Sequence, residues 1–219
     1  RAKIRKENIL AYITHRGEEE VVAMPESVFE IEDLEYMTCS NEQMTKWQNE
    51  GIFEEYNYYK QSIQEEWFFA PDNIHGILHT KRVLLLSLLI SHHEGFDDQD
   101  KEIMAYCSIF HDIGRMNECE DEEHGYRSVK KIGCIEDLKD DMYLDDEEYA
   151  IMEFIIEYHC KDDDKAFEDL NKNTKVKDKQ RAIRLIKAFK DADNLDRVRI
   201  SDLDVSYLRT DTAKKLPLV

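Results

Sequence analysis

The sequence predicts an all-α fold, and three observations carry that expectation. Glycine and proline are sparse, seven and three in 219 residues, so few positions interrupt a helix. From about residue 42 onward Leu, Ile, Glu and Lys dominate, a bias that favours helices over strands. Apolar residues also recur at steps of three and four in four separate segments, the period of a helix with one buried face. With 42% hydrophobic residues, the chain can bury the core of one main domain, with room for a small appendage.

Residues 9–38 stand apart from the rest. ILAYIT and VVAMPESVFEI have strand-like or mixed character, punctuated by Gly17 and Pro25, and are compatible with a small β-hairpin in the N-terminal region. The first helix that bears on function is expected over 73–92, where Val83, Leu86 and Ile90 mark an apolar stripe and four residues back from Val83 lies His79. A second is expected over 99–112, with Met104 and Cys107 leading to His111 and Asp112 beside it at the helix end. A third, over 146–159, runs through Met152 and then Ile155 or Ile156 to His159. The fourth, over 179–199, runs through Ile186 and Phe189 to Asp193. Between the last two, KDDDKAFEDLNKNTKVKDK (161–179) reads as a long exposed loop, and the acidic runs EDEE (120–123) and KDDDK (161–165) read as solvated loops without chemistry.

Four apolar stripes therefore end in a metal-ligand residue type. Singly, each has a structural explanation: a hydrogen-bonded core histidine, or an aspartate capping a helix. Together, three histidines and two aspartates on the apolar faces of four helices are costly to bury without a cation, whereas one divalent ion satisfies carboxylates and neutral imidazoles at once. Mixed nitrogen and oxygen donors suit Mn, Fe, Co, Ni or Zn.

The order His79, His111-Asp112, Asp193 resembles the HD-domain superfamily of metal-dependent phosphohydrolases, named for the paired His-Asp. The surrounding segments HGILHTKRV (75–83), FHDIGR (110–115), EEHGYRSVKKI (122–132), IIEYH (155–159) and DADNLDRVR (191–199) carry the resemblance too. It implies an HD-type helical bundle over residues 71–219, preceded by a partly helical extension, residues 1–70, to which it assigns no role. It implies one or two divalent ions, with His79, His111, Asp112 and Asp193 holding one and Asp112 bridging to a second. His124 and His159 fall where binuclear members place two more histidines, although the gap from Asp112 to His124 is short for them. A mononuclear site with His124 as an acid or substrate contact stays open.

The function so implied is hydrolysis of a phosphoester of a small metabolite, most plausibly a nucleotide, by metal-activated water. Asp112, His124 and Arg115 are the candidate catalytic residues, with Asp112 placed to orient the water or take its proton. Two alternatives share the ligand set: a di-iron oxygenase on the same scaffold, and a non-catalytic regulatory or ligand-sensing module. Cations beside each motif are candidates for the substrate phosphate: Lys81, Arg82, Arg115, Arg127 and Arg197, with His75 one turn before His79. Structural roles compete with several of these. Arg197 could brace Asp193, Arg199 could pair with Asp202 or Asp204, and His75 could serve as a cap. Trp67, Phe68 and Phe69 read as core rather than as a base-stacking wall.

A formal net charge of −19 argues against general binding to nucleic acid or to an anionic membrane surface. The run VLLLSLLI (83–90) is too short to span a bilayer, and a cytoplasmic protein is expected. Five cysteines without CxxC pairing read as reduced thiols. Oligomerisation and an upstream domain are compatible with the sequence, which begins with Arg rather than Met.

Overall fold

The structure is a computed structural model that describes residues 10–15, 18–23, 41–200 and 202–216. Gly17, Pro25 and Cys39, with the rest of segment 24–40, lie outside the described residues. Strands β1 (Leu10–His15) and β2 (Glu18–Ala23) form an antiparallel hairpin in which Leu10 pairs with Ala23 and His15 with Glu18. Nine α-helices follow among the described residues: α1 (Asn41–Asn49), α2 (Ile52–Lys60), α3 (Ile77–His93), α4 (Asp98–Phe110), α5 (His124–Ile132), α6 (Leu138–Asp141), α7 (Asp146–Tyr158), α8 (Asp163–Lys172) and α9 (Lys179–Leu195). The fold is an all-α helical bundle carrying this hairpin.

The bundle is organised around α3, which is buried on two opposite sides. Val83, Leu86 and Ile90 join a core built with Met104 and Cys107 of α4, Met152 and Ile155 of α7, and Ile186 and Phe189 of α9. Leu84, Leu85, Leu88 and Leu89 face the other way, onto Trp47, Ile52, Phe53 and Tyr56 of α1 and α2. The run VLLLSLLI is thus apolar because protein covers both sides of it. Among the described residues, no helix is long and apolar enough to cross a membrane.

Caps fix where the helices begin. The Asp97 carboxylate accepts the Asp100 amide at the start of α4, and Asp178 accepts the Arg181 amide at the start of α9. Asp145 and Glu148 form a reciprocal capping box at α7. The expected helix boundaries shift by a few residues. Residues 73–76 form turns, with the Gly76 amide on the Asn73 carbonyl at 2.9 Å, so α3 starts at Ile77. Helix α4 ends at Phe110 and leaves His111 at its cap, while α9 ends at Leu195 and tightens into a 3-10 turn, Asp196–Ile200.

The segment 161–179 is a correction. The sequence predicts a loop there, yet α8 occupies its middle, because Ala166 and Leu170, four residues apart, are both buried. The charges that suggest a loop lie on the outer face, where Lys165 pairs with Asp169 at 2.8 Å and Lys172 with Glu168 at 2.6 Å. Nor is KDDDK merely solvated: Asp163 binds Lys190 at 2.7 Å and Arg209 at 2.8 Å. Cys107 is buried, Cys119 and Cys134 are exposed, and Cys160 is half-buried, all four as free thiols.

Candidate metal centre

Four helices bring their histidines to one place, and local structure aims each ring. His111 and His159 cap the C-termini of α4 and α7, where last-turn carbonyls lack an intrahelical partner. Each donates its Nδ1–H to the carbonyl three residues back: His111 to Ser108 at 2.9 Å, His159 to Ile156 at 2.7 Å. His124 opens α5 and donates Nδ1–H to the Asp121 carbonyl. His79, within α3, directs Nδ1 to the Asp196 carboxylate at 2.7 Å. A carbonyl can only accept, so Nδ1 carries the ring proton and Nε2 presents a lone pair to the interior.

The Nε2 atoms converge in two pairs. His79 and His111 have their Nε2 atoms 3.1 Å apart, and those of His124 and His159 are 2.8 Å apart. Asp112 lies between the pairs and divides its oxygens. Oδ2 is 3.6 Å from His79 Nε2 and 3.7 Å from His111 Nε2; Oδ1 is 3.0 Å from His124 Nε2 and 3.8 Å from His159 Nε2. Asp193 adds an oxygen 3.4 Å from His79 Nε2, on the first pair's side. Facing lone pairs at such distances repel unless a proton or a metal ion lies between them. A shared proton would satisfy the nitrogens but not Asp112 Oδ1, which is buried with no hydrogen-bond donor aligned on it, although Arg115 Nε stands 3.0 Å away. The donor set, neutral imidazoles plus ionised carboxylates, therefore fits divalent metal.

The electrostatics agree at His111, Asp112 and Asp193. Burial pushes His111 down to about 3, keeping its ring neutral as a ligand requires. For Asp112, burial opposes ionisation, but the surrounding His111, His124, His159 and His75 rings hold it well below the usual carboxylate range. Asp193 is likewise held low against the cost of burial, chiefly by His79. For His79, burial favours the neutral ring, yet the Asp193 and Asp196 carboxylates that its two nitrogens face outweigh it and raise its pKa.

Two glycines let these elements approach. A Cβ on Gly114 would sit 2.2 Å from the Ser128 nitrogen, and one on Gly125 would sit 2.4 Å from the Ile156 carbonyl oxygen. The first holds the turn after Asp112 against α5, and the second packs α5 on α7, which brings His124 to His159.

The cations have separate placements. Arg115 and His75 touch the centre: Arg115 through Asp112 Oδ1, and His75 with Nδ1 3.1 Å from Asp112 Oδ2. Arg82 is buried and directs Nε and Nη2 to Asp196 at 2.6 and 3.3 Å, so it braces the carboxylate that orients His79. Arg127 binds the Gly114 carbonyl at 2.9 Å and the Asp121 carboxylate. Arg197 pairs with Asp202 rather than with Asp193, and Arg199 pairs with Asp196 at 3.1 Å rather than with Asp202 or Asp204. Lys81 is half-buried on α3 two residues after His79. Trp67 packs 5.3 Å from the Phe110 ring and Phe68 is buried, while Phe69 is exposed.

Asp196 orients the cluster as well, although no distinct sequence pattern marks it. One turn after Asp193, it meets His79, Arg82 and Arg199 together. Its only sequence signal is the spacing of acids in DADNLD. Ser128 was also missed; its hydroxyl donates to the His111 carbonyl at 2.6 Å and accepts from the Gly114 amide at 2.8 Å, locking the turn that carries Asp112.

The family model of the HD domain matches residues 76–198, more than half of the chain, and spans every histidine and aspartate of this cluster except His75. This chain belongs to the HD domain family. The membership agrees with the resemblance carried by the His-Asp pair and its flanking segments, and it gives the protein a superfamily of metal-dependent hydrolase type, some of whose members are non-catalytic. No curated protein and no solved structure matches the chain at a significant level. His/Asp groups of this HD domain that could hold an ion include His79, His111 and Asp193, and also His111, Asp112 and His159.

Proposed function

We propose that this HD domain is a phosphohydrolase with a two-ion centre, acting on a small phosphorylated metabolite, with a nucleotide the foremost candidate. The observation that supports it is the division of Asp112: one oxygen toward the His79–His111 pair, the other toward His124–His159. In this reading His79, His111, Asp193 and Asp112 Oδ2 hold one ion, and His124, His159 and Asp112 Oδ1 hold the other. Ions bound there would supply Lewis acidity toward phosphoryl oxygens and a water ionised near neutral pH.

The chain's own residues do the positioning. Asp112, kept ionised, serves both halves as a shared carboxylate and fixes their separation. Asp196, braced by Arg82 and Arg199, holds the His79 ring so that Nε2 faces inward. Arg115 and His75, on the partly exposed side of Asp112, are the cations and donors closest to where a phosphate would enter. In a chain of formal charge −19 these local groups are needed to draw in an anion. Lys81, Arg127 and Arg197 lie farther out in this reading.

The test is a panel of nucleoside mono-, di- and triphosphates and simple phosphomonoesters, assayed for phosphate release with Mn, Fe, Co, Ni and Zn each added to chelator-stripped protein. Hydrolysis of at least one nucleotide with a first-row metal is expected. Oxygen uptake with iron and no phosphate release from any compound would replace this reading by the oxygenase one.

A further inference from the structure

Cys160 directly follows His159 at the end of α7, and its sulfur and one nitrogen from each of His124 and His159 lie within 4.8 Å of one another. Two ligands of one zinc-like ion, bonded at about 2.0 to 2.3 Å, stand at most about 4.6 Å apart, so this trio is close to the reach of a single ion. A second, independent observation points to the same place. Asp112 Oδ1, buried and without an aligned donor, is 3.0 Å from His124 Nε2 and 3.8 Å from His159 Nε2.

We propose that Cys160 Sγ is a further ligand of the ion held by His124, His159 and Asp112 Oδ1, giving that half of the centre a sulfur donor that, among the described residues, the His79–His111 half lacks. The proposal rests on the two-ion reading above. In the structure the thiol donates to the Glu122 carbonyl at 3.2 Å. A thiol is a weak donor, so ligation replaces a weak hydrogen bond by a metal–thiolate bond and releases the thiol proton to solvent. The other cysteines with described structure lack this setting: Cys107 points to the Met152 carbonyl at 3.8 Å, and Cys119 and Cys134 are exposed. One consequence concerns selectivity. Thiolate favours Zn, Fe and Co over Mg and Mn, so the two halves would differ in the metal they retain.

The experiment is reconstitution of the full chain with cobalt(II) alone, with ions counted per chain and the ultraviolet spectrum read for sulfur-to-cobalt charge transfer. Wild-type protein is expected to bind two ions and show the band. Cys160→Ser should lose the band and release its second ion at lower chelator concentration, while Cys119→Ser and Cys134→Ser keep both properties. Unchanged circular dichroism checks that the Cys160 variant folds, and Cys160→Ala repeats the test without the hydroxyl. Two ions without a thiolate band in the wild type would overturn the role of Cys160 and leave the two-ion centre standing. One ion without the band would overturn both.

Discussion

Helix α4 carries a buried carboxylate near each end, and the chain surrounds the two differently. Asp100, in the first turn, is fully enclosed and meets cations of the chain itself: Arg181 Nε at 2.6 Å and the Arg184 guanidinium. Asp112, just past the last turn, meets Arg115, His75 and four further histidines, each of those four with its Nε2 toward the carboxylate and three of them with the ring proton committed to a backbone carbonyl. The first arrangement is closed by guanidinium protons. The second brings acceptors to face acceptors and leaves Oδ1 without an aligned donor. Buried charge thus has two solutions here, an internal ion pair and a cage shaped for a cation from solution.

Substitutions can break or sharpen that contrast. The largest effect is expected at Asp112→Ala, which removes the carboxylate common to both histidine pairs: metal content falls to zero and phosphate release falls by at least about a thousand-fold. The helical circular dichroism signal persists, because the change removes a ligand and little core volume.

Next comes Asp100→Ala. It strips Arg181 of its Asp100 contact and leaves it Glu148 at 3.2 Å, and is expected to cost about 2 to 3 kcal/mol in chemical denaturation, less than a fully buried orphan because Arg181 keeps that partner and Arg184 reaches solvent. Metal stoichiometry should not change. If Asp100→Ala emptied the centre, the two ends of α4 would not be the separate systems described.

Asp196→Asn tests orientation at a distance. The amide keeps the volume but weakens the hold on His79 Nδ1–H and leaves Arg82 and Arg199 undercompensated. Metal affinity is expected to fall about 10- to 100-fold, read by chelator competition.

The smallest effect concerns Asp163, another carboxylate closed by the chain's own cations. Burial opposes its ionisation, but Arg209 and Lys190 hold it down at about 2, against an ordinary 3.8. A depressed carboxylate contributes stability that is present above pH about 3.8 and is lost as pH falls toward about 2. The group is substantially solvated, so the contribution is expected to be no more than about 1 kcal/mol. Asp163→Asn should flatten the acid limb of unfolding between those pH values.

Much of the centre was legible in the sequence because the helical period exposes it. His79, His111 and Asp193 each continue a stripe whose other members, Val83, Cys107 and Phe189, are buried in one core. Other features depend on contacts that no local pattern records. Asp196 braces His79 across 117 residues, and in a chain with 49 acids one more Asp in DADNLD does not stand out. Helix α8 was hidden because its buried face is narrow, with Ala166 and Leu170 set among acids and lysines. The cations were the hardest to assign, since Arg82, Arg127 and Arg197 sit beside ligand motifs in sequence but spend their donors on Asp196, Asp121 and Asp202.

The central question is whether the cluster around Asp112 holds metal. The direct measurement is metal content per chain by elemental mass spectrometry, on protein purified without chelators and again after reloading with Mn, Fe, Co, Ni or Zn. Two ions per chain are expected, both lost in Asp112→Ala. A chain that binds no ion even after reloading would contradict the account and leave the facing imidazoles as a proton-sharing core.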